Sequence, residues 1–199
     1  MSTVTSIQAR FCRLLRCAVT LSALLALVAV SPRCTTANSV SEYQVKAAFL
    51  LNFAKFIEWP PDALPDIASP ITFCVFRHDP FGSDLENAVR GKTINSRELL
   101  TRRVKALPDL KACLLVFVSS QENKSLQEIL NNLKGSGVLV VGESEEFAER
   151  GGGFEFYMED NKVRFSANLD ALQRARLTVS SKLLALARIV HEKNHAKGT

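Results

Sequence analysis

Catalysis needs groups that give, take or hold charge, and this chain places few of them at useful spacings. Histidine occurs at His78, His191 and His195, the last two in a polar tail that is expected to fray. His78-Asp79 has the make-up of an acid–base pair. Asp79 is better matched to capping a helix that starts at Pro80, where the missing N–H of proline costs nothing. A serine nucleophile needs a strained elbow such as G-x-S-x-G. "GSGV" (Gly135 to Val138) instead reads as a loop entering a strand. "GGG" (Gly151 to Gly153) lacks the lysine and hydroxyl of a phosphate loop and leads into a strand, which makes it a flexible turn. There is no C-x-x-C and no run at metal-ligand spacing. The sequence implies no catalytic residue, no metal and no cofactor.

The elements that would carry any site can be read from periodicity. Ser41 to Trp59 reads as a helix capped by Ser41 and stopped by Pro60-Pro61. Polar residues interrupt its apolar run too often for a bilayer span, so it reads as a core helix. "ITFCVFRH", "KACLLVFVSS" and "GVLVVGES" are buried strands. They alternate with helices over "DPFGSDLENAV" and "NKSLQEILNNLK", a polar strand within Lys92 to Val104, and a short acidic helix at "EEFAERGGG". That alternation predicts a largely parallel sheet flanked by helices on both faces. "GFEFYME" and "KVRFSAN" then predict a β-hairpin turning at Asp160-Asn161. Two terminal helices follow, "LDALQRARL" and "SSKLLALARIVHEK", joined through Thr178-Val179. The fold class is therefore α/β, in one domain.

The first 37 of the 199 residues differ from the rest. Arg10, Arg13 and Arg16 precede an apolar run, Cys17 to Val30, and Thr35-Thr36-Ala37 supplies small residues for cleavage. This is the pattern of a secretory signal, so residues 1–37 are expected to leave and residues 38–199 to remain. The leader holds four arginines and no acid, and without it 21 basic residues face 20 acidic ones. The overall basicity is largely a property of the leader, and nothing in the charge balance suggests nucleic acid. Cys74 and Cys113 are then the remaining cysteines. In an oxidising compartment they read as one disulfide, with two buried free thiols as the other reading.

Apolar residues concentrate near the end of the chain. Leu169, Leu172, Leu177, Val179, Leu183, Leu184 and Leu186 exceed what one short helix buries, and Arg164, Arg174 and Arg176 accompany them. Core packing accounts for most of the leucines; an exposed groove for a partner accounts for the surplus.

"YQVKAAFLLNFAKFIEWP", "CVFRHDPFG" and "VRFSANLDALQRARLTVSSKLLALAR", in this order behind a secretory leader, resemble the YfiR family of periplasmic proteins. The resemblance covers nearly all of residues 38–199. It implies a periplasmic, non-enzymatic repressor that binds the periplasmic sensor portion of an inner-membrane diguanylate cyclase and lowers cyclic-di-GMP synthesis. An OmpA-like outer-membrane lipoprotein is implied as a sequestering partner, and a homodimer is compatible with it. It also implies that Cys74 and Cys113 pair. The partner surface it implies has an apolar lining at Leu169, Leu172, Val179 and Leu184, with Arg174 beside them. Where the family pattern can carry Arg-x-His/Asn-Pro, this chain has Thr178-Val179-Ser180-Ser181. The alternative function is a solute-sensing module with a cleft at the carboxyl edge of the sheet.

Overall fold

The computed structural model describes residues 41–66 and 68–193; the leader lies outside them. Helix α1, Glu42–Phe56, begins with the capping predicted from Ser41. The Ser41 hydroxyl accepts from the Gln44 N–H, and the Gln44 side chain accepts from the Ser41 N–H, both at 3.1 Å. Two otherwise orphaned donors are thereby satisfied. The helix stops three residues short of Trp59. Ile57–Glu58 leaves helical geometry to form β1, which pairs antiparallel with β9, Thr178–Val179. No helix among the described residues is long and apolar enough to cross a membrane. Helix α1 instead buries Ala47, Leu50, Leu51, Phe53 and Ala54 against a sheet.

That sheet has eight strands. In chain order they are β2 (Ile71–Phe76), β3 (Thr93–Ile94), β4 (Arg97–Val104), β5 (Leu115–Val118), β6 (Leu139–Gly142), β7 (Phe154–Glu159), β8 (Lys162–Asn168) and β10 (Arg188–Val190). Their spatial order is β10-β8-β7-β6-β5-β2-β4-β3. Every pair is parallel except β3–β4 and β7–β8. The two antiparallel pairs are hairpins whose turn residues, Asn95-Ser96 and Asp160-Asn161, all have positive φ. Turns of that type match the right-handed twist of the strands they join. Strands β2 and β5 are apolar at almost every position because both of their faces are covered.

Helices cover both faces, as the alternating pattern predicts. On one lie α1, α2 (Asp84–Val89) and side chains from α4 (Leu169–Arg174) and α5 (Ser181–Leu184). Its centre is aromatic: Phe53 stands 4.5 Å from Phe154, 4.9 Å from Phe165 and 5.6 Å from Phe156, ring centre to ring centre. Each ring so enclosed contributes about 2 to 3 kcal/mol by burial. On the other face lie α3 (Leu126–Asn132), the 3-10 turn Leu107–Ala112 and Phe147. The Cys74–Cys113 disulfide sits within this second core, with Cα atoms 5.9 Å apart and both residues buried.

The structure revises five local expectations. Asp79 does not cap α2, which begins five residues later. Its carboxylate accepts from the Phe81 N–H (2.8 Å) and pairs with Arg103 (2.6 Å), and Gly82 turns the chain at φ +55° before the helix starts. The segment 145–150 makes turns rather than a helix. These turns fold Phe147 inward between Gly142 and Gly152, where an added Cβ would stand 2.3 and 2.2 Å from its ring. The triple glycine therefore meets a packing requirement rather than supplying a flexible turn. Thr178-Val179 is a short strand. The last predicted helix ends at Leu184, and Arg188–Val190 instead pairs with the outer edge of β8. That pairing satisfies backbone groups on the edge of β8 which a helix would leave bare.

Candidate partner-binding surface

The surface grows from the end of β8. Asn168, fully buried, accepts from the Ala171 N–H (3.0 Å) and donates to the Ala148 carbonyl (2.6 Å), which fixes where α4 starts. Leu169 is then turned outward at 36% exposure, and Leu172 inward at 2%. Arg174 is exposed and pairs with Glu192 at 2.5 Å. Val179 is half-buried in the β1–β9 ladder, and Leu184 is half-buried against the core. Of the five residues read as a partner lining, Leu169 and Arg174 are on the surface, Val179 and Leu184 are partly so, and Leu172 supports the surface from within.

Three further exposed apolar side chains stand outside the lining read from the sequence. Leu186 is 70% exposed, Ile189 41% and Phe56 39%. Leu186 sits in helical register with Leu183, so it reads as stripe; because α5 ends at Leu184, it leaves that register and faces solvent. Three of the six exposed large apolar residues among those described lie between 169 and 190. Phe56 adjoins them, since its carbonyl accepts from the Ser180 N–H at 2.9 Å.

Ion pairs hold this strip to the body. Arg176 bonds Asp62 (2.7 Å) and the Gly135 carbonyl (2.9 Å), and its guanidinium holds the Asp62 carboxyl below the usual range. Within the segment itself, the His191 ring nitrogen lies 3.3 Å from the Asp170 carboxylate. Lys193 bridges Glu146 and Glu149, whose hydrogen bonds raise its ammonium above the ordinary lysine value. Arg188 lies 4.1 Å above the Tyr157 ring.

Glu155, beneath the strip, is nearly buried and accepts from the Ala148 N–H (3.0 Å). Burial pushes its carboxyl above 4.5, and the Ala148 hydrogen bond and the charge of Arg188 only partly oppose this. The folded state then binds the proton more tightly than the unfolded chain, so this group makes stability fall as pH rises from about 4.5 through its folded value. Glu155→Gln is expected to remove that slope. Melting curves of both proteins across this window check it, and parallel profiles would contradict it.

At the carboxyl edge of the sheet, where open α/β sheets commonly bind solutes, the groups largely satisfy one another. Lys46, 5% exposed within α1, pairs with Glu42 and with Glu143 (2.6 Å). Burial alone would lower its ammonium, but the bonds from Glu143 and Glu42 outweigh that and raise it. Glu143 also accepts from the Ser120 N–H (3.2 Å) and the Tyr43 hydroxyl (3.4 Å). The crevice between β2 and β5, where the strand order reverses, is filled by Phe81 packed edge-on against Phe117 (4.7 Å) and Tyr43 (5.4 Å). A cavity of about 230 Å³ remains beside the cluster, walled by Lys46, Glu143 and Tyr157.

Together these features describe a helix-covered, mostly parallel open-sheet protein whose C-terminal segment exposes Leu169, Leu186 and Ile189 among arginines. Residues 43–188 match the model of the YfiR/HmsC-like family, and the chain belongs to that family. Among solved structures, a conserved domain protein from Vibrio cholerae is similar at 10% identity and a TM-score of 0.48, over 76% of this chain and 60% of that one. The ABC domain in complex with L-Trp from Streptococcus pneumonia is similar at 10% identity and a TM-score of 0.46, over 72% and 61%. The ligand-free, open form of a substrate binding protein with adhesive properties from Clostridium difficile follows at 10% identity and 0.40, over 67% and 59%. The match thus spans about 60% of the length of each of these three chains.

Proposed function

We propose that this protein is a periplasmic negative regulator. Its leader, residues 1–37, directs export and is removed, and residues 38–199 form the regulatory domain. The domain binds the periplasmic sensor portion of an inner-membrane diguanylate cyclase and lowers cyclic-di-GMP synthesis. An OmpA-like outer-membrane lipoprotein competes for it and so relieves repression. Such a repressor acts only through its preference for the inactive conformation of the target, and a competitor acts by lowering the free repressor concentration.

The observation that carries this reading is the exposure of Leu169, Leu186 and Ile189 near the end of a YfiR/HmsC-like chain. Leu169, Leu186 and Ile189 supply contact area, while Arg174 and Arg176 orient the encounter. Deleting the gene is expected to raise cellular cyclic-di-GMP, and a copy lacking residues 1–37 is expected not to restore it. An unchanged nucleotide level after deletion, or full rescue by the leaderless copy, would overturn the reading.

A further inference from the structure

Residues 188–193 close one end of the sheet without entering either apolar core. Strand β10 pairs with Ser166, Ala167 and Asn168, so its neighbours on β8 offer it two polar side chains and one methyl group. Arg188 and Ile189 are exposed, Val190 is half-buried, and residues 191–193 are exposed. Burial of apolar surface holds the central strands, but it contributes little to this segment.

Charge takes its place. Glu192 meets Arg174 of α4 at 2.5 Å. Lys193 bridges Glu146 at 2.6 Å and Glu149 at 2.5 Å, both on the turns that follow β6. The Lys193 N–H also donates to the Glu149 carbonyl at 2.9 Å. One short segment thus ties itself to α4 on one side and to the 145–150 turns on the other. The side chains in these pairs keep between 27 and 51% of their surface in contact with solvent. Ion pairs so placed are weakened by dissolved salt, whereas apolar cores are not.

We propose that residues 188–193 form an ionic latch that opens as ionic strength rises while the rest of the fold stays closed. Its opening is a local unfolding of an element held by exposed charges and a three-residue ladder. Release bares the edge of β8 at Ser166–Asn168 and takes Ile189 from its place beside Ala167. The latch stands whether or not this segment docks a cyclase. Joined to that reading, it makes the salt content of the surrounding fluid a signal that loosens the partner.

The test is amide hydrogen exchange of the purified protein, read by NMR, from about 10 mM to about 1 M sodium chloride. Over that range the screening length falls from about 30 Å to about 3 Å. Exchange at Lys193 and along β10 is expected to accelerate roughly fivefold or more, with the amides of α1 and β5 unchanged. An equal osmotic load of sucrose should not reproduce the effect. Lys193→Met, which removes both carboxylate links from an exposed position, should show at low salt the fast exchange that wild type reaches only at high salt. Exchange at 188–193 independent of salt, acceleration by the same factor throughout the fold, or a Lys193→Met protein that matches wild type at low salt would each overturn the proposal. Salt-driven opening beside an unchanged affinity for the cyclase domain would support the latch and count against docking through Ile189.

Discussion

Cys74→Ser is expected to destabilise the fold by about 4 kcal/mol, the loop-closure term for two residues separated by 39 positions. The bridge ties the middle of β2 to Cys113, two residues before β5 begins, so the closed loop contains α2, β3 and β4. Without it the unfolded chain regains the freedom of that whole segment. For a domain of this size the loss corresponds to a fall in melting temperature of roughly 10 °C. Both cysteines are almost wholly enclosed, so reductant reaches the sulfurs only when the second core opens. Wild-type protein should therefore lose stability slowly in reductant, and the serine variant should not respond. Equal melting temperatures of the two proteins would show that the crosslink contributes nothing.

Leu172→Glu is expected to have the larger effect. This side chain is enclosed by the first core, close to Gly153. The substitution forfeits the transfer energy of a leucine and buries a carboxylate among apolar core side chains, at a cost above about 4 kcal/mol. Most of the protein should lose its cooperative melting transition. Leu186→Glu, on a residue 70% exposed, should change stability by about 0.5 kcal/mol or less. Loss of partner binding by Leu172→Glu would thus report on folding, whereas loss by Leu186→Glu would report on contact. Near-native melting of Leu172→Glu would mean that α4 can swing its buried face outward.

Local chemistry explains why some elements were legible from the sequence. The Ser41 cap, the apolar strands and the Asp160-Asn161 turn are each set by residues within a few positions of one another. The misread parts depend on distant partners. "LLALARIV" has helical periodicity, yet Ile189 and Val190 are strand because the edge of β8, some twenty residues earlier, needs a partner. Lys46 could have been singled out as a lone lysine among the apolar residues of α1. Its partner Glu143 lies 97 residues away, and nothing in either segment announces the other. The same holds for Phe147, whose place between Gly142 and Gly152 shows only after β6 and β7 lie side by side. Within the candidate surface, a leucine stripe signals burial in general; which leucines escape it depends on where α5 stops.

The most direct measurement is the affinity of the purified protein for the periplasmic sensor domain of an inner-membrane diguanylate cyclase from the same cell, compared with that of a Leu186→Glu/Ile189→Glu variant. The docking account predicts a measurable complex and a loss of roughly thirtyfold or more in the variant, with its melting temperature unchanged. Equal affinity of the two proteins, or no complex with any such domain, would contradict it.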